Sequence, residues 1–383
     1  MLKNFLIVII LFYAQHVNAN AIELTFNGLS FLGNFNQKER YQVAANFTNE
    51  DLGKFNKSLL KKIKQSEGSY NQFVIKTKAG KIKEGGAKLL TFGLNGEEVE
   101  RLKEKDGFYS MYKVYAQILI FDLNEKKVLI NFPILSQHQE FTKNMPDANF
   151  DSEAFKKIYF NLDLESSVIK EWVKNLAQVN LKESGALHLQ LRDVSLDDAV
   201  QKQLPDYLLK NDRFKIFTAQ KFEYQLASNQ KVAILPFTLG ELGNKEKLRA
   251  RFSDAETYEL KLPEADYVID LIIRKFKNAK VDTKNYDGYV FGSFITLNVE
   301  EPLTKKNILT SKFNRKNSVQ FNKYDKVEVL DPWVFYLRAQ DALFSNLTKQ
   351  ISKREVKKLA ELTSTKDIEQ QFQNLEEIIK KCR

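Results

Sequence analysis

The side chains that most often do chemistry are scarce in this chain and badly spaced for it. Past residue 21 there are two histidines, His138 and His188, and neither belongs to a His-Glu-x-x-His or Cys-x-x-Cys arrangement. A histidine-based metal site is therefore not expected. His188 falls within Ala186–Arg192, which reads as a strand, where a packed or edge histidine is the ordinary outcome. His138, in Gln137-His138-Gln139, reads as part of a surface loop. A serine hydrolase needs a Gly-x-Ser-x-Gly elbow, but in Gly292-Ser293 the glycine is adjacent to the serine and Ile295 stands where the second glycine belongs. Cys382, the single cysteine, is next to the last residue of the sequence, a place that offers no preorganised pocket, and it can form no internal disulfide. Gly85-Gly86 and Gly240-Glu241-Leu242-Gly243 lack the Lys-Ser/Thr ending of a phosphate loop and read as turns.

Paired acids are the remaining route to catalysis, because glycoside hydrolysis needs only two carboxyl groups about 5 to 9.5 Å apart in space. Glu97-Glu98, Asp197-Asp198 and Glu300-Glu301 are adjacent in sequence. Neighbours in a strand point to opposite faces, however, and Asp197-Asp198 suit a helix start. No catalytic, cofactor-binding or metal-ligating residue is assigned, no cofactor is expected, and the chain reads as a non-enzyme. Tyr286, Tyr289 and Phe291 are candidates for an exposed binding surface, although half-buried strand positions explain such residues more often.

The opening segment carries the clearest message. Lys3 is followed by an apolar run from Phe5 to Ala14 and then by small residues. This reads as a secretory signal peptide, residues 1–21, cut after Ala19 or Ala21. Ten apolar residues span about 15 Å, half of a hydrocarbon core of about 30 Å, so a membrane anchor is disfavoured. The leader contains one basic residue and no acid, which leaves 58 − 49 = +9 of the +10 formal charge on the exported part. Such a balance favours anionic surfaces such as lipid headgroups or cell-wall carboxylates, and export makes nucleic acid an unexpected partner. Interleaving of Lys with Glu and Asp also fits a plain solvated face.

Beyond the leader, the elements that would have to position any site appear in the same order twice. Ile22–Leu32 reads as a strand turning at Gly28, and Thr48-Asn49-Glu50-Asp51 caps a helix with Leu52, Phe55, Leu59, Leu60 and Ile63 on one stripe. Strands follow at 73–76, 88–94, 109–122 and 127–134, then a helix over 152–178. The second series has a strand at 186–192, a helix from Asp197 toward Leu209 despite Pro205, and strands at 214–217, 265–271, 289–299 and 307–313. A helix begins at Asp331-Pro332. Corresponding strands are separated by 265 − 87 = 178 and 289 − 112 = 177 residues. The reading is an internal duplication of an α+β module, each copy a mainly antiparallel sheet covered by helices. The modules span 22–182 and 183–353, followed by a helical tail, 354–383, that packs back on the body or grips a partner. The apolar strand Lys231–Phe237 has no counterpart in the first copy.

The second half resembles the anticodon-binding-domain-like envelope modules of curli-secretion channel subunits and of lipoprotein activators of penicillin-binding proteins. Val232-Ala233-Ile234-Leu235-Pro236-Phe237, Ala265-Asp266-Tyr267-Val268-Ile269, the hairpin Phe294 to Phe313 and the helix after Asp331 carry that likeness, over roughly Ala186 to Ser352. The lipidated cysteine of those lipoproteins and the long helix after the Pro-Phe strand are missing. The resemblance implies an α+β sandwich in a bacterial envelope that binds other envelope proteins. The expectation is a periplasmic or secreted accessory protein, non-enzymatic, that binds another envelope protein or a cell-wall component, with a protein partner favoured over small-molecule capture. The alternatives are a carbohydrate-active or peptidoglycan-directed hydrolase and a secreted, host-directed protein. Oligomeric state is left open.

Overall fold

In the computed structural model, residues 21–70, 72–77, 87–104, 106–180, 187–239, 247–252, 256–282, 286–322 and 332–383 are described. The expected leader up to Asn20, Gly85-Gly86, Gly240 to Gly243, Asp331 and residues 181–186 at the expected module boundary lie outside that set, as do the side chains of residues 282–287. The chain is α+β. Its elements are β1 (Ile22–Leu32), α1 (Asn49–Gln65), β2 (Phe73–Thr77), β3 (Lys88–Glu104), β4 (Gly107–Asp122), β5 (Lys127–Thr142), α2 (Ala148–Phe160), α3 (Val168–Leu176), β6 (Leu189–Leu196), α4 (Asp198–Gln201) and α5 (Asp206–Leu209). There follow α6 (Arg213–Gln230), β7 (Lys247–Phe252), β8 (Thr257–Lys261), β9 (Tyr267–Asp282), β10 (Tyr286–Glu301), β11 (Lys306–Asn322), α7 (Trp333–Lys353), α8 (Val356–Leu362) and α9 (Ile368–Cys382).

Local signals set several boundaries as expected. Asp51 N–H donates to Thr48 Oγ1 at 3.1 Å and Thr48 N–H donates to Asp51 Oδ2 at 2.9 Å, a reciprocal cap that starts α1. Phe55, Leu59 and Ile63 face the core. The expected single helix over 152–178 is two helices, α2 and α3, separated by Asn161–Ser167, and Pro205 divides the expected helix after Asp197 into the short α4 and α5.

Two larger departures concern the second half. Phe214–Phe217, expected as a strand, opens helix α6. Twelve of its eighteen residues are buried, on all sides, so no polar stripe marks the helical period and the run Phe-x-Ile-Phe mimics strand spacing. Val232–Phe237 is not a regular strand. Ile234 N–H donates to Asn131 O of β5 at 3.0 Å, and Leu235 N–H donates to Leu189 O of β6 at 2.8 Å. Leu235 makes a single parallel bridge with Gln190. Pro236, which has no N–H, cannot extend it.

The strands form two sheets, β2-β1-β3-β4-β5-β8-β7 and β11-β10-β9-β6. In the first, β1 runs parallel to β2 and β3, and β3, β4 and β5 are antiparallel. In the second, β6 runs parallel to β9 and to Leu235, while β9, β10 and β11 are antiparallel. The unexpected β7–β8 hairpin leaves its own half to join the first sheet. Leu32 of β1 pairs with Ala250 of β7, and Lys127 of β5 pairs with Lys261 of β8. One end of the sheet thereby closes into a six-stranded ring, and Leu32, Leu89, Phe121, Val128, Leu248, Phe252 and Leu260 fill it.

The layers follow from which faces are apolar. Helices α1–α3 cover one face of the first sheet, and α6 and α7 lie between its other face and the second sheet. A single apolar core runs through both halves, from Leu24 and Phe92 to Phe344 and Phe372. Among the described residues no helix covers the outer face of the second sheet, and β11 alternates accordingly, with Ser311 and Phe313 buried and Thr310, Lys312 and Lys316 exposed. Because β7–β8 complete a sheet begun at residue 22, chains 22–182 and 183–383 expressed separately are expected to be insoluble or unfolded alone and to co-purify as a folded pair when co-expressed. Two independently folded, non-associating fragments in size-exclusion chromatography and circular dichroism would contradict this.

Candidate functional site

A cleft opens at the rim of the ring, where β1, β3, α6 and β7 converge. At the end of β1, Gly33 adopts φ +86° and donates its N–H to Arg249 O at 2.8 Å. A Cβ at Gly33 would lie 2.5 Å from Arg40 Nη1, so the missing side chain lets the guanidinium rest against the backbone. A bulge in β3 between Leu94 and Gly96 presents Asn95 to the same spot. The Asn95 carbonyl accepts from Arg40 Nε at 2.7 Å and from Gln220 Nε2 at 3.0 Å, and the Asn95 side chain accepts from Arg40 as well.

The cleft has a volume of about 90 Å³. Gln117 of β4 and Gln220 of α6 line it, together with Ile216, Phe237, Leu248 and Arg249. Gln117 is 1 % exposed and Gln220 4 %, yet the Oε1 atom of each has no hydrogen-bond partner among the described residues. A buried carbonyl left unpaired costs about 1–3 kcal/mol, so such an acceptor is an unfilled requirement for an N–H or O–H group. Charge at the cleft is mainly positive. Lys247 Nζ is 3.0 Å from Glu259, but Arg249 has no ion-pair partner among the described residues. Next to the cleft, Glu223 of α6 accepts from Phe237 N–H at 2.7 Å, and its Oε2 has no partner among the described residues. Burial pushes its carboxyl up to about 8, so it is largely neutral at pH 7.

Behind α6 lies a second polar constellation, in the seam between the first sheet and helices α6 and α7. Lys113 of β4 and Lys221 of α6, 3 % and 4 % exposed, face Glu98 and Glu100 of β3 and Asp341 of α7. Lys221 Nζ is 3.0 Å from Glu100, 3.3 Å from Glu98 and 3.6 Å from Asp341, and Lys113 Nζ is 2.5 Å from Glu100 and 3.4 Å from Asp341. Tyr115 donates its hydroxyl to Glu98 at 2.8 Å. Burial alone would raise the Glu100 carboxyl, but Lys221 and Lys113 hold it down to about 2. Three carboxylates share two ammonium groups here, and every member has a charged neighbour. This is a structural clamp between the halves.

Adjacent Glu97 turns the other way, as strand alternation requires. It accepts from Val43 N–H at 2.7 Å, Ala44 N–H at 3.1 Å and the Tyr159 hydroxyl at 2.7 Å, with burial pushing it up to about 7. Asp197 occupies the N-cap position of α4 without a capping hydrogen bond from its side chain, and Glu300 is 2.8 Å from Arg192, which also binds Asp270. His138 is in strand β5, not in a loop, with Nε2 2.8 Å from Glu140. His188 immediately precedes β6; its N–H donates to Asp266 at 2.7 Å, and burial lowers the imidazole pKa. Phe291, considered for an exposed surface, is a core residue 4.9 Å from the Phe335 ring, while Tyr289 is half-buried on the same strand. Cys382 is buried in α9. The structure brings none of the adjacent acid pairs to the cleft.

The residues that do build the cleft and the clamp carry one sequence signal. Lys113 and Gln117 interrupt the otherwise apolar run from Tyr112 to Phe121, and Asp341 interrupts Trp333 to Phe344 in the same way as Gln340 beside it. A polar residue inside a buried run must find a partner, but sequence does not say which.

No protein-family model and no curated protein sequence matches the chain. Among solved structures it is similar to a minor lipoprotein from Acinetobacter baumannii, at 10% identity and a TM-score of 0.23, over 45% of this chain and 95% of the other. It is also similar to a Helicobacter pylori protein described as a homolog of neuraminyllactose-binding hemagglutinin, at 12% identity and a TM-score of 0.23, over 46% and 92%. Likeness at this level decides neither fold nor function.

Proposed function

We propose that this is an exported envelope protein that holds a cell-wall or other envelope component in the rim cleft and releases it unchanged. The observation that carries the reading is the pair of buried amide oxygens of Gln117 and Gln220, without partners among the described residues, in a cleft with cationic Arg40 and Arg249. At about 90 Å³ the cleft takes one end of a ligand, a terminal group that presents a carboxylate or phosphate beside N–H or O–H donors, as the termini of soluble peptidoglycan fragments do. The leader Met1–Ala21 supports delivery beyond the inner membrane. The shared strand order of the halves supports an internal duplication, in which Val232–Phe237 is a shrunken counterpart of β2 and β7–β8 is an addition to the second copy.

Isothermal titration of the chain with a soluble peptidoglycan fragment tests the reading. Saturable binding is expected, weakened at least about tenfold by Arg249→Glu, which removes a charge-assisted contact of about 1.5–3 kcal/mol without touching the core. Binding indifferent to that change, or turnover of the fragment on mass spectrometry, would sink it.

A further inference from the structure

The outer face of the second sheet has a polarity that the cleft does not explain. Strand register puts Ile272, Thr296 and Lys312 in one row across β9, β10 and β11. The next rows are Lys275, Phe294 and Asn314, then Lys277, Gly292 and Lys316, then Ala279, Val290 and Ser318. Residues directly opposite one another share a face. Four lysines therefore project from one side of three adjacent strands, and these four rows contain no carboxylate. Lys277, Lys312 and Lys316 are exposed and have no partner among the described residues. Lys277 and Lys316 are two strands apart, about 10 Å, and neither pairs with an acid among the described residues of the sheet.

The lysines surround an apolar centre. A Cβ on Gly292 would meet the Phe294 ring at 3.0 Å, so the ring lies across the glycine, and Lys275 Nζ is 5.0 Å from the ring centroid. Val290 is half-exposed beside it, and Val281, one row further, is 50% exposed. No helix among the described residues is long and apolar enough to cross a membrane.

We infer that the outer face of β9–β11 docks on an anionic phospholipid bilayer, with the four lysines against headgroup phosphates and Phe294 and Val281 at the interface. Charge complementarity argues for this occupant, and the shape of the patch favours a surface over a single ion. A free phosphate needs convergent donors, whereas these lysines stand on a broad sheet face with an aromatic ring between them. The inference is independent of what the rim cleft holds.

Flotation of the full chain with phosphatidylglycerol/phosphatidylethanolamine vesicles, and separately with phosphatidylcholine vesicles, tests it. The leader's apolar run partitions alike into both, so the readout is the ratio of the two. The ratio should strongly favour the anionic vesicles at low salt and fall as salt rises. In the triple variant Lys277→Gln, Lys312→Gln, Lys316→Gln the preference should drop by roughly 100-fold, at about fivefold per lysine. All three side chains are exposed, and an unchanged thermal melt verifies the fold. An equal distribution between the two vesicle types, a triple variant that floats like its parent, or displacement by soluble glycerol phosphate at low millimolar concentration would overturn the proposal.

Discussion

Replacing Lys221 by Met should lower the free energy of unfolding by about 3–5 kcal/mol, measured by urea denaturation at neutral pH. Lys221 is almost wholly buried and lies within 3.6 Å of Glu98, Glu100 and Asp341. Methionine fills most of the volume, so packing is nearly conserved and the loss is electrostatic. What remains is three carboxylates facing the single ammonium of Lys113. The second change Glu100→Gln, made in the same chain, should recover part of the loss, because it removes one of the stranded charges; the non-additivity of the pair measures their coupling. Equal effects of Lys221→Met and of breaking the half-exposed Arg192–Asp270 pair would count against a clamp, since surface pairs are worth about 1 kcal/mol or less.

The second large effect is one of pH. Glu223 ordinarily ionises near 4.5, but in the folded chain burial pushes it up to about 8. Between those values the native state binds the proton that the unfolded chain has lost, so stability from this group is complete below about 4.5 and is lost as pH rises through about 8. The full difference is on the order of 5 kcal/mol. Glu223→Gln mimics the protonated form and can still accept from Phe237 N–H. Parent and variant should match at about pH 5, while at about pH 9 the variant should be the more stable by a few kcal/mol. Parallel stability curves for the two chains would show that Glu223 is not held neutral. Glu97 titrates in the same direction, up to about 7, but it accepts three hydrogen bonds that one amide oxygen cannot replace, so the corresponding glutamine is expected to destabilise.

The α+β class and most strands of the first half were legible from the sequence, because those strands alternate or are bounded by clear turns. Helix α1 announced itself through Thr48 and Asp51. The clearest errors lie where both faces of an element are buried: α6 lost its helical signature because Phe214, Ala219, Phe222 and Leu226 point in several directions, all inward. The β7–β8 hairpin is short, with charged residues at alternate positions, Arg249 and Arg251 among them, and its role depends on strands more than a hundred residues away. No local pattern encodes that. The cleft was illegible for a related reason: Arg40, Asn95, Gln117, Gln220 and Arg249 are spread across the chain, and their meeting is decided by a bulge, a glycine and a helix packed between two sheets.

The crossing of β7–β8 into the first sheet sets the order in which the protein can be completed. Leu32 waits for Ala250, more than two hundred residues later, before the ring can shut. At about 5–20 residues per second that is a delay of roughly ten to forty seconds during synthesis. Until then the inner wall of Leu89, Leu119 and Phe121 has no lid, and an edge of β1 stands open to any extended chain nearby. A nascent copy is therefore open to aggregation until β7 is made, and its folding should be slow compared with that of a small domain of local contacts.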